Sequence, residues 1–126
     1  MEFLTVRDAL YLLARIRAVP FARVPSMVQT ISSLFLLDPF LHNYIHQLSG
    51  GTKRRLHAAL ALIGNQQTCF IRFHTCLFVG PPLVTILDEP TTGVDPNARQ
   101  RMQEIFLNAV KAKLTIILTS HSMDEW

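Results

Sequence analysis

From Thr5 to Val19 the apolar residues Val6, Ala9, Leu10, Leu12, Leu13, Ile16 and Val19 recur at helical spacing. Thr5 is the predicted N-cap and Pro20 ends the run. The stretch "VPSMVQTISSLFLLDPF" repeats the pattern, with Ser26 as cap, Met27, Val28, Ile31, Leu34 and Phe35 on one face, and Asp38-Pro39 closing it. Together they predict a helical hairpin. After a polar loop containing His42, Asn43, His46 and Gln47, a third helix is expected through "TKRRLHAALALIG", stopped by Gly64 and Asn65.

The pattern then changes period. "LVTIL" (83–87) and "LTIILTS" (114–120) are short, nearly continuous β-branched runs, as expected of strands buried in a parallel sheet. Between them lies "PNARQRMQEIFLNAVKAK", with Asp95 as cap, Pro96 in the first turn, and Met102, Ile105, Phe106, Ala109 and Val110 as its apolar stripe. Strand, helix, strand predicts a βαβ unit, hence an α/β fold with a parallel sheet.

Composition narrows the setting. At 126 residues the chain fits one small domain or part of a larger one. No run of about 20 apolar residues would span a bilayer, and the amphipathic start lacks the order of a signal peptide, so a cytosolic setting is expected. The two cysteines, Cys69 and Cys76, are too few for a secreted disulfide scaffold. A net charge of +3 is a weak argument for nucleic acid.

Two stretches carry candidate chemistry. "LSGGTKRRL" (48–56) sets Ser49, Gly50 and Gly51 at a helix mouth, where free N–H groups and the dipole favour an anion. Lys53, Arg54 and Arg55 in that first turn oppose the dipole unless an anion is near, or form a solvated basic turn. "LVTILDEPTTGVDP" ends a strand in Asp88-Glu89, at the sheet edge where α/β proteins bind ligands. Asp88 suits Mg²⁺, held through water, and Glu89 suits polarising a water for attack on a phosphoryl group. The plainer reading is that D-E-P caps a turn. His121, in "TSHS", emerges at the same edge beside Glu89, either as a turn residue or as a donor to a terminal phosphate.

LSGG opening a helix, a strand ending in D-E-P-T-T-G-x-D-P, and a T-S-H-S strand end resemble, in that order, the ATP-binding cassette (ABC) family from Leu4 to Glu125. "LTVRDALYLLARIRAVP", "LSGGTKRRL", "TTGVDP" and "LTSHSMDE" are similar to the A subfamily of ABC transporters, large membrane proteins that mostly move lipids. The resemblance implies a fragment of a P-loop NTPase-type nucleotide-binding domain, with a helical subdomain (5–63) and part of a parallel sheet (81–126). It makes Ser49, Gly50 and Gly51 the signature motif, Asp88 the Walker B aspartate, Glu89 the catalytic glutamate, Asp95 the D-loop residue and His121 the switch histidine. ATP and Mg²⁺ are the implied cofactors. The implied partners are a second nucleotide-binding domain, whose bound ATP the signature caps head to tail, and transmembrane domains that the helical hairpin docks against. The implied location is the cytoplasmic face of a membrane, with no nucleic acid partner.

Two departures stand beside the match. The chain has no G-x-x-x-x-G-K-[ST] loop, so it is expected to be inactive alone and to be the middle of a domain. The apolar segment "QQTCFIRFHTCLFVG" (66–80) adds about fifteen residues to the family pattern, and leaving its six large apolar side chains in water forgoes roughly 1.5–3 kcal/mol apiece. An extra hairpin, a membrane- or partner-facing insertion and a translated intron are the competing readings, the last favoured. Cys69, His74 and Cys76 within it lack a fourth metal ligand. The alternatives to a transporter cassette are a soluble ABC ATPase acting on nucleic acid and a non-catalytic product that only binds a partner cassette.

Overall fold

The computed structural model describes residues 2–63 and 84–120. Three helices precede a strand–helix–strand unit: α1 (Val6–Ile16), α2 (Val24–Leu34), α3 (Gly50–Leu62), β1 (Val84–Asp88), α4 (Pro96–Lys111) and β2 (Thr115–Thr119). The predicted α/β architecture is present.

Thr5, in an extended conformation, accepts the Asp8 N–H at 3.1 Å and so caps α1. The helix stops three residues short of the expected end. Ala18 takes a left-handed φ of 58°, and the amides of Arg17, Ala18 and Val19 fold back onto the carbonyls of Leu13, Arg15 and Ala14. Val6, Ala9, Leu10 and Ala14 are buried, whereas Leu12 and Ile16, a second row one turn apart, are exposed. The apolar stripe is therefore narrower than the pattern suggested.

The expected cap of the second helix is also corrected. A short 3₁₀ turn, Phe21–Arg23, runs directly into α2, and Ser26 lies inside the helix with its hydroxyl donating to the Arg23 carbonyl at 3.0 Å. The reason is Pro25, whose fixed φ and missing N–H suit the first turn and place the start ahead of Ser26. Met27, Val28, Ile31 and Phe35 are buried as expected. Ser32, fully buried, donates to the Asp38 carboxylate at 2.8 Å and so ties the helix to the turn that follows it.

Backbone pairing anchors the start of α1 to the loop that leads into α3. Thr5 and Tyr44 form an antiparallel bridge, flanked by Val6 N–H to Asn43 O (3.1 Å) and Ile45 N–H to Leu4 O (3.0 Å). Four residues beyond Ile45 the chain enters α3 at Ser49. Arginine side chains complete the bundle. Arg17 donates to the Ala61 and Ile63 carbonyls at 2.8 and 2.7 Å, satisfying the C-terminal end of α3. Arg101 of α4 donates to Leu34 O at the end of α2.

β1 and β2 pair in parallel, in register from Val84↔Thr115 to Asp88↔Thr119. α4 joins them, with Ala98, Met102, Ile105, Phe106 and Ala109 buried and Val110, placed on the apolar stripe by the sequence, exposed. The expectation of strands buried on both faces does not hold among the described residues. Thr85 and Leu87 are covered, but Val84, Ile86 and Ile117 are 57%, 69% and 49% exposed. The alternation follows from the two-residue strand period, because the described helices cover one face. No described helix is long and apolar enough to cross a membrane.

Candidate nucleotide site

Ser49 caps α3. Its backbone is extended (φ −64°, ψ 159°), and its hydroxyl accepts the Thr52 N–H at 3.3 Å and lies 2.8 Å from the Thr52 hydroxyl. The side chain is thus turned onto its own helix, while the first helical amides follow at Gly50 and Gly51. The two glycines do different work. A Cβ on Gly50 would meet nothing within 4 Å, whereas one on Gly51 would stand 2.6 Å from the Gly93 carbonyl oxygen. Gly51 is therefore the point at which α3 touches the turn after β1. Gly93 holds that turn with a φ of 72°, a conformation that glycine alone adopts without strain.

Asp88 ends β1 opposite Thr119, whose hydroxyl donates to its carboxylate. Glu89 follows with a left-handed φ of 43°, which for a non-glycine residue costs about 1–2 kcal/mol. Hydrogen bonds hold both flanking peptides, one of them from the Glu89 N–H to the Thr119 hydroxyl at 3.3 Å. The same N–H donates to Thr119 O at 3.0 Å, and the Glu89 carbonyl accepts Thr92 N–H at 3.3 Å and the Arg54 guanidinium at 2.5 Å. Asp95 caps α4, accepting the Ala98 N–H at 3.1 Å. Replacing Asp95 with alanine should lower stability by about 1 kcal/mol, read as a shift of the urea midpoint at unchanged slope.

A cavity of about 550 Å³ lies between α3 and β1. Gly50, Lys53, Arg54 and His57 line one wall, and Ile86, Leu87, Asp88 and Pro90 the other. The structure thus brings Gly50 and Asp88 to one space, and Gly51 to the turn leading to Asp95. Ser49 and Glu89 flank that space without lining it. His121 lies outside the described residues, as do Cys69, His74, Cys76 and the 66–80 segment. Among the described residues no group of three or more His, Cys, Asp or Glu is suited to a metal. A lone carboxylate at a strand end still fits Mg²⁺, which keeps most of its waters and takes few protein oxygens.

Two of the three basic residues have internal partners. Arg55 is buried and donates to the Phe35 and Leu36 carbonyls at 3.4 and 3.1 Å and to the Thr52 hydroxyl at 3.1 Å. These bonds place its terminal nitrogens without an anion, while its Nε is buried with no hydrogen-bond partner among the described residues. Its role had no signal in a linear pattern, because the carbonyls it caps belong to a helix that ends about twenty residues earlier.

A family profile described as "AAA domain, putative AbiEii toxin, Type IV TA system" matches residues 43–125, which take in LSGG, Asp88-Glu89 and Asp95. Nearly the whole chain aligns with A-subfamily ABC transporters. It is 38% identical over 124 residues to the retinal-specific phospholipid-transporting ATPase ABCA4 of Homo sapiens, covering 98% of this chain and 5% of that protein. It is 39% identical over 124 residues to human phospholipid-transporting ATPase ABCA7, with 98% and 5% covered. Human glucosylceramide transporter ABCA12 is 34% identical over 124 residues, with 98% and 4% covered. The chain belongs to this AAA domain family, and its alignment over nearly its whole length is consistent with a partial A-subfamily-like ABC nucleotide-binding domain. The cassette portion in hand spans about a twentieth of the length of these relatives. Membership of an ATPase family implies nucleotide use, usually with a divalent metal.

Proposed function

We propose that this chain is the signature-to-switch portion of a cassette that couples ATP hydrolysis to lipid movement across a membrane. The observation that carries the reading is the strand end at Asp88-Glu89, where Thr119 of β2 donates to the Asp88 carboxylate and Arg54 of α3 to the Glu89 carbonyl. In this reading the α3 mouth, Ser49 to Gly51, caps the terminal phosphate of ATP held by the P-loop of a second nucleotide-binding domain. Asp88 would hold Mg²⁺, which supplies charge neutralisation to the phosphoryl oxygens when bound. Glu89, the next residue, orients and deprotonates the attacking water, and His121 donates to the phosphate. The relatives' printed substrates, phospholipids and a glucosylceramide, support a lipid as cargo. The partners would be the second cassette and the transporter's membrane domains, at the cytoplasmic membrane face.

The test uses a human phospholipid-transporting relative in which this chain replaces the matching segment. Its phosphate release should fall by about 10²–10⁴-fold on Glu89→Gln while ATP binding is kept. Equal hydrolysis by the Gln variant would sink the reading. The chain alone, offering no P-loop, should release phosphate at background.

A further inference from the structure

Arg54 is the member of the basic run that reaches across the cavity to the other wall. Its guanidinium, half-buried, donates to the Glu89 carbonyl, a bond that spans 35 residues of sequence. Lys53, one position earlier, lines the same cavity, and its ammonium makes no hydrogen bond among the described residues. The acceptor is the main chain at the left-handed residue of the sheet edge, φ 43°. A conformation of that kind persists only where its surroundings over-determine it. Here β2 holds the Glu89 N–H and the turn holds one side of its carbonyl. A further anchor on its carbonyl comes from α3, the helix that opens with Ser49.

We infer that Arg54 is a positioning residue: it sets the backbone conformation of Glu89 and makes the LSGG helix and the Glu89 peptide one mechanical unit. Its consequence for hydrolysis rests on the function proposed above. A fixed fork at the end of a long stem suits this task, since it holds a planar carbonyl in direction as well as distance. Because the position of an attacking group is felt steeply in rate, release of this anchor lowers turnover through the Glu89 main chain.

The experiment compares Arg54→Met, which keeps the stem, Arg54→Lys, which restores one donor, and Lys53→Met in the intact chain. Amide exchange and the carbonyl ¹³C shift of Glu89 are read by NMR. In Arg54→Met, exchange at Glu89 and Thr92 should speed by about tenfold or more, the loss expected for a charge-assisted bond, with Leu10 in α1 unchanged. The Glu89 carbonyl shift should move with it. Arg54→Lys should recover part of both, and Lys53→Met should alter neither. Should Arg54→Met not fold, Arg54→Lys serves alone, with intermediate values at the same two sites.

Faster exchange spread evenly over all helices, or an unmoved Glu89 carbonyl, would overturn the inference. In the transporter chimera, Arg54→Met should lower kcat with KM unchanged, and Arg54→Lys should restore part of it. If Glu89→Gln stops hydrolysis while Arg54→Met leaves kcat intact, positioning falls and the nucleotide reading stands. If hydrolysis ignores Glu89→Gln while the Glu89 signals still follow Arg54, the nucleotide reading falls and positioning stands.

Discussion

Replacing Arg55 with methionine is expected to lower the free energy of unfolding by about 2–3 kcal/mol, measured by urea denaturation followed by circular dichroism. The side chain is 9% exposed and its donors satisfy the Phe35 and Leu36 carbonyls at the end of α2. Leu36 itself has a φ of 55°, so this end of α2 already leaves helical geometry under constraint. Two effects oppose each other. Bonds from a charged donor are worth about 1.5–3 kcal/mol each, yet removing a buried charge also returns its desolvation cost. The carbonyls left without a donor decide the sign, since the methionine relieves the charge but satisfies neither. Methionine keeps the aliphatic stem of the buried side chain but loses the guanidinium that lies over the Phe40 ring, 5.8 Å from its centroid. Arg55→Ala should therefore lose about 1 kcal/mol more through packing. Equal stability of wild type and Arg55→Met would show that water replaces the arginine at that helix end.

The second large effect separates two adjacent glycines. Gly51→Ala should cost about 1–3 kcal/mol, because the new Cβ would stand 2.6 Å from the Gly93 carbonyl, a backbone atom that cannot rotate away. Gly50→Ala should be neutral or stabilising by up to about 1 kcal/mol, since alanine favours the helix and no atom lies within 4 Å. The thermal midpoint is the measurement, and it should move down for one variant and hold or rise for the other. A fall of equal size for both would show that the close approach at Gly93 is not what Gly51 serves.

The periodicity that defines α1, α2 and α4 was open to linear reading because each helix buries a stripe and carries a local stop or start. Thr5 and Asp95 were legible as caps for the same reason, since a cap bonds within three residues of itself. Ser26 misled because a proline one residue earlier is the stronger start signal. The open sheet face was not legible. β-branched runs look the same whether one or both faces are covered, and cover depends on which elements pack there. At the candidate site, the strand end at Asp88-Glu89 and the helix mouth at Ser49 could be found by motif. The bonds that hold them, from Arg54 to Glu89 and from Thr119 to Asp88, join segments 35 and 31 residues apart. Pattern along a chain carries no record of such meetings unless the sheet register is known first.

Gly51 and Gly93 also bear on how this sequence can drift. At position 93 any side chain would be strained by the backbone angle, and at position 51 even a Cβ would meet the Gly93 carbonyl. A larger residue at 51 therefore carries a stability cost for as long as the turn keeps its shape. Removing that cost would mean rebuilding the turn, and with it the approach to Asp95. The two positions are therefore coupled, and a change in the turn at 93 alters what position 51 can hold.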